Sequence, residues 1–117
     1  MKSKDDMMVS VEYDSETDSI YFKIRNLNVY ETVEFNANIL IDLSHRNEKL
    51  VGLEILDASR FISKLFAEKI SKSAIKDRLV MHLNVEREQE ITLDFELGRQ
   101  KYAYAIPRAY ASPILAV

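Results

Sequence analysis

Glu54 is a carboxylate between apolar neighbours, in the run Val51-Gly-Leu-Glu-Ile-Leu56. A carboxyl in such a place suits general acid–base work, because withdrawal from water raises its pKa unless a cation offsets the effect. Strand parity puts Glu54 on one face with Asp42 and Leu40, and Arg25 is the cation available to that face. Asp42, Glu54 and Arg25 are therefore the candidate ligand-binding or acid–base group. The competing reading makes Glu54 a hydrogen-bonded residue that fixes the corner between strand and helix, with Gly52 a bulge or a point of close approach.

Other chemistry-bearing residues are few. The chain has no cysteine and two histidines, His45 and His82. Thiolate nucleophiles, disulfides and cysteine metal sites are thereby excluded, and two histidines alone do not make a zinc site. His82 is expected to face Asp94 across a hairpin, like the base and orienting acid of a triad. No strained Gly-x-Ser-x-Gly turn supplies a nucleophile, so an exposed cross-strand pair is the expectation. Asp14-x-Glu16-x-Asp18 is spaced like the start of a calcium loop. That loop needs a glycine at its sixth position and a glutamate at its twelfth, where this chain has Ser19 and Arg25. With glycine only at positions 52 and 98, no phosphate-cradling loop is possible. No metal and no cofactor is expected.

Charge is unevenly distributed. The net charge is −3, but residues 1–57 hold twelve acidic and six basic side chains, and residues 58–117 hold seven and ten. Arg60, Lys64, Lys69, Lys72, Lys76 and Arg78 concentrate the positive charge in one segment. Lys64, Lys69, Lys72 and Lys76 are the candidate phosphate contacts if the partner is a nucleic acid. No aromatic is interleaved with them for base stacking, which favours a solvated helix face. Tyr102, Tyr104 and Tyr110, with Ile114 and Leu115 of the apolar tail, are the candidate interface, since such side chains bury area at small entropic cost.

Elements that position these residues follow from periodicity. Alternation marks strands at Val9–Tyr13, Ile20–Ile24, Val33–Phe35, Ile39–Leu43 and Val51–Ile55. The hairpin of the last two is expected to place Ile41 opposite Val51 and Ile39 opposite Leu53. From Ala58 the period becomes helical, with Phe61, Ile62, Leu65, Phe66 and Ile70 on one side. A single helix over 58–75 is predicted, capped at its start by Asp57 or Ser59. Alternation then returns for three strands within 78–106, with Leu79, Met81, Leu83 and Val85 opposite Leu97, Phe95, Leu93 and Ile91. Pro107 and Pro113 keep the tail, 107–117, out of regular structure; it is expected to pack on its own sheet or on a second copy. No run approaches the roughly 18 apolar residues of a membrane span, and the N-terminus does not read as a secretory signal. A cytoplasmic protein is expected.

Residues 11–59 resemble the family of unknown function DUF2283. The residues that carry the resemblance are Tyr13-Asp14, Asp18, Ile20-Tyr21-Phe22, Glu31-Thr32-Val33-Glu34, Ile41-Asp42 and the octapeptide from Gly52 to Ser59. The resemblance implies a compact β-meander leading into a helix and no catalytic residues. Its members are often short bacterial or archaeal proteins, some held to act as antitoxin-like partners of small toxins. Residues 60–117 are an addition to that pattern.

The expectation is thus one α+β domain over 1–117: an antiparallel meander of about five strands, one amphipathic helix, and about three more antiparallel strands. The expected role is a non-enzymatic protein-interaction or regulatory module, antitoxin-like in the version the resemblance implies, and a homodimer. Two alternatives come from other classes: a small-molecule binder or minor hydrolase built around Glu54, and a nucleic-acid accessory protein using the basic helix.

Overall fold

A computed structural model describes residues 7–45, 49–86 and 90–107. Over these described residues the fold is α+β, with eight strands in two antiparallel sheets and two short helices between them in sequence. The first sheet holds β1 (Ser10–Asp14), β2 (Ser19–Lys23), β3 (Glu31–Glu34), β4 (Ile39–Leu43) and β5 (Leu50–Ile55). The helices are α1 (Ala58–Phe66) and α2 (Lys72–Asp77). The second sheet holds β6 (Val80–Val85), β7 (Ile91–Leu97) and β8 (Gln100–Ile106).

The five-strand sheet is not a simple meander. Its order is β1-β2-β5-β4-β3, so β5 lies between β2 and β4. Alternation tells which face a side chain takes, but not which strand lies beside it. Burial settles the neighbours. Ile20, Phe22 and Ile24 are fully buried and need strands on both sides of β2, whereas short β3 has a largely exposed pattern and suits an edge.

The β4–β5 pairing also differs from the expected one. Ile39 stands opposite Ile55 and Ile41 opposite Leu53, two residues from the expected register. A slip by two keeps every side chain on its face, so the apolar pattern cannot distinguish the alternatives. A bulge between Asp42 and Leu43 then brings Leu43 opposite Leu50. It leaves both Leu50 and Val51 buried, which strict alternation does not allow. In the second sheet, Met81 meets Phe95, Leu83 meets Leu93 and Val85 meets Ile91, as the sequence pattern predicts.

The helical segment is two helices rather than one. Ala67 adopts a left-handed conformation, φ 56°. The Ala67 and Glu68 amides turn back to the Lys64 and Ser63 carbonyls, closing α1 by the 5→2 and 6→1 bonds of a Schellman end. The Ser63 hydroxyl accepts from the Ile70 amide at 2.8 Å, and Ser71 begins α2 by accepting from the Ala74 amide at 3.1 Å. Ser71-Lys-Ser73 is therefore the start of a second helix within the span expected to be one.

One apolar core joins the two sheets and the helices. Phe61 stacks edge-on against Phe95 and Tyr104, and Phe66 against Tyr102. Ile62, Ile70, Ala74 and Ile75 are buried in the same core. The turn at Asn36-Ala-Asn38 ties the first sheet to this region. Asn36 donates to the Tyr104 hydroxyl, and Asn38 donates to the Leu56 carbonyl while accepting the Leu56 amide on its own carbonyl.

Left-handed backbone at a residue with a Cβ costs about 1–2 kcal/mol. Ala67→Gly is therefore expected to raise unfolding stability by about 1 kcal/mol, read by chemical denaturation; a loss of stability would contradict this account of the α1 end.

Candidate functional site

The polar side chains of the first sheet gather into two hydroxyl–carboxylate clusters. The first surrounds Asp18, in the turn between β1 and β2. Asp14 shapes that turn by accepting the Glu16 amide at 2.9 Å. Asp18 itself is left-handed, φ 55°, which places its carbonyl against the Ala58 amide at 2.8 Å. Its carboxylate accepts the Tyr13 hydroxyl at 2.7 Å, the Ser59 hydroxyl at 2.7 Å and the Ser59 amide at 3.1 Å. Asp18 thus caps α1 from a distance of 41 residues along the chain. Neither Asp57 nor Ser59 caps the helix with its own side chain. Asp57 occupies the N-cap position in a left-handed conformation without a side-chain cap, and its carboxylate lies 3.4 Å from Arg60 Nε. Two of the three carboxylates spaced like a calcium loop, Asp14 and Asp18, are therefore engaged in turn and cap bonds. Among the described residues, no group of three or more His, Asp or Glu side chains is placed to hold a metal ion.

The second cluster lies on the outer face, over β5. The Tyr21 hydroxyl donates to Asp42 at 2.9 Å, and Thr32 donates to the other oxygen of Asp42 at 2.7 Å. These bonds reach from β2 and β3 to a carboxylate on β4. Gly52 on β5 makes the span possible: a Cβ built there would lie 1.9 Å from the Tyr21 hydroxyl oxygen. The close approach expected at Gly52 is thus the Tyr21 side chain crossing the central strand. Glu54 is half-buried beside it, opposite Tyr21 on one side and Leu40 on the other.

Arg25 does not join Asp42 and Glu54. Its Nη1 donates to the Leu50 carbonyl at 2.8 Å, and its Nε is buried without a partner among the described residues. The described hollows near these residues do not bring the three together. The one beside Tyr21 is a shallow acidic hollow lined by Glu12, Tyr13, Asp14, Ser15, Ser19 and Lys76.

The proton affinities of these clusters move away from neutral pH. Burial, then the hydrogen bond to Asp42 and the charges of Asp42 and Glu54, raise the Tyr21 hydroxyl above the usual phenol range. Burial and Asp18 do the same to Tyr13. Burial alone would raise Asp18, but the hydrogen bonds from Ser59 and Tyr13, together with Lys72, hold it below the usual carboxylate value. The two phenols remain protonated donors and Asp18 remains an ionised acceptor, which suits bracing rather than proton transfer.

The remaining candidates are dispersed. His82 does stand opposite Asp94, but the Asp94 carboxylate takes the Asn84 amide at 3.0 Å. His45 stacks near Tyr30 with ring centroids 4.1 Å apart. Lys64, Lys69, Lys72 and Lys76 are exposed. They are divided between two helices, and Lys72 and Lys76 sit by Asp18 and the Glu12–Asp14 hollow. Tyr102 and Tyr104 pack on Phe66 and Phe61 of their own chain. Tyr110, Ile114, Leu115 and the tail beyond Pro107 lie outside the described residues.

Asp18 gains stability as its folded pKa falls below the unfolded value near 3.9. That gain is complete above about pH 4 and is lost as pH falls through the lowered folded value. Asp18→Asn is therefore expected to cost about 1–3 kcal/mol at pH 7, with the gap to the parent chain closing in acid. Urea denaturation at a series of pH values measures it; a gap that is absent at pH 7, or unchanged in acid, would contradict the cap.

Residues 10–59 match the model of the family described as "Protein of unknown function (DUF2283)". Neither the curated proteins nor the solved structures hold a match. The matched span contains the whole first sheet and ends at Ser59, the residue that receives the Asp18 cap. Both hydroxyl–carboxylate clusters lie inside it. Residues 10–59 form a DUF2283-like domain, and the two helices and the second sheet extend it.

Proposed function

We propose that this protein is a non-enzymatic interaction module that joins another protein chain through the flank where β1 adjoins β6. The distribution of exposed apolar side chains carries this reading. Met7, Met8, Val9 and Val11 run into and along β1, and Val80 opens β6. Val9 and Val11 share the inner strand face with Tyr13 yet are each 42% exposed, and Met8 is 80% exposed. Between the two edges is a cleft of about 340 Å³ of mixed lining, with Val9, Val11, Phe22, Met81 and Leu83 beside Ser10, His82, Asn84 and Asp94.

An edge strand with unpaired backbone groups is a template for pairing unless charges, prolines or bulges blunt it. β1 has no proline, and its two charges, Glu12 and Asp14, lie on the outer face, away from Val9, Val11 and Tyr13. Three of the groups suited to chemistry make bonds within the chain: Asp18 to the helix start, Asp42 to Tyr21 and Thr32, and Arg25 Nη1 to a backbone carbonyl. An antitoxin-like partner of a small toxin is the form of this role that the family resemblance suggests, and a cytoplasmic setting goes with it. No helix among the described residues is long and apolar enough to cross a membrane.

Tagged protein purified from its native host at native abundance is expected to carry a second chain in fixed stoichiometry. The V9S/V11S variant, with its melting temperature preserved, is expected to lose that chain. Recovery of the parent protein as a lone chain, or retention of the partner by the variant, would contradict the proposal.

A further inference from the structure

This inference rests on the interaction reading and names the partner. We propose that β1 pairs antiparallel with β1 of a second copy about a twofold axis at Val11, joining two five-strand sheets into one of ten strands. A twofold contact uses one patch twice, so the patch must complement itself. β1 does so in this register. On the inner face, Val11 meets the partner's Val11, and Val9 meets the partner's Tyr13. On the outer face, Ser10 meets the partner's Glu12, and Met8 meets the partner's Asp14.

Neighbouring registers are worse for stated reasons. A slip by one residue turns the partner's apolar face toward the outer side. An axis at Glu12 sets two glutamates directly opposite each other, which is destabilising. Two other edges, β3 and β8, are less suited. β3 has four residues and a glutamate at each end, and the aromatic side chains of β8 are taken up by α1. β1 is also held firmly, because Tyr13 at its far end is hydrogen-bonded to Asp18. The paired strands cover the apolar side chains that β1 leaves open, Val9 and Val11. A single strand pair buries modest area, so the dimer depends on concentration.

Sedimentation equilibrium over a concentration series tests the pairing. The parent chain is expected to rise from the mass of one chain to that of two. V11K places two cations on the axis and is expected to stay at one chain with an unchanged far-ultraviolet circular dichroism spectrum. V11C provides a second measurement that does not depend on V11K folding, because the chain has no cysteine of its own. Under mild oxidation V11C is expected to form a disulfide-linked dimer, whereas E34C on the opposite edge is not. A parent chain that stays monomeric throughout, a folded V11K that still dimerises, or cross-linking of E34C as readily as V11C would overturn the proposal. A second chain of a different protein, found in the native purification, would leave the interaction reading standing and remove this one.

Discussion

The first backbone N–H groups of an α-helix have no partner within the helix and must find acceptors elsewhere. Helix α1 finds its acceptor in the β1–β2 turn. Asp18 takes the Ser59 amide and hydroxyl on its carboxylate and the Ala58 amide on its carbonyl. Tyr13 holds the same carboxylate from the strand before the turn. One ionised side chain therefore sets the angle at which the chain leaves the first sheet. The helices and the second sheet are built on from that point, so the position of the extension relative to the family-like domain begins here.

The outer cluster has a similar role within the sheet. Tyr21 reaches across Gly52 to Asp42, and Thr32 reaches the same carboxylate from the edge strand. The cluster links β2, β4 and β3 over a central strand that lacks a side chain at the crossing. Residues that carry the family resemblance, from Tyr13 and Asp18 to Gly52 and Ser59, thus coincide with the braces.

Strand parity made much of this legible. The alternation at Ile20, Phe22 and Ile24 and the matching of Met81 with Phe95 follow from a period of two and were readable as such. The order of the first sheet and the β4–β5 register were not, because a swap of neighbours or a two-residue slip leaves every apolar residue on its face. The break between α1 and α2 was hidden because Ala67 is a helix former by propensity and yet takes a left-handed turn. At the site, Asp42, Gly52 and Tyr21 were within reach of the strand pattern. The role of Asp18 was not: its partner Ser59 is 41 residues away, and the carboxylates around it read as a solvated turn. The single sign of it was a turn carboxylate and a helix-start serine in one family pattern.

These braces also bear on the proposed interaction surface. Tyr13 belongs to the edge strand β1 and to the Asp18 cluster at once, so the cap that orders α1 also orders the edge for which we propose pairing. An ordered edge loses less freedom on pairing than a mobile one. The most direct measurement of this shared brace is a double-mutant cycle on stability with Tyr13→Phe and Ser59→Ala. If both hydroxyls act through the Asp18 carboxylate, each change costs about 1 kcal/mol and the pair departs from additivity by at least about 0.5 kcal/mol. Costs near zero, or costs that simply add, would contradict it.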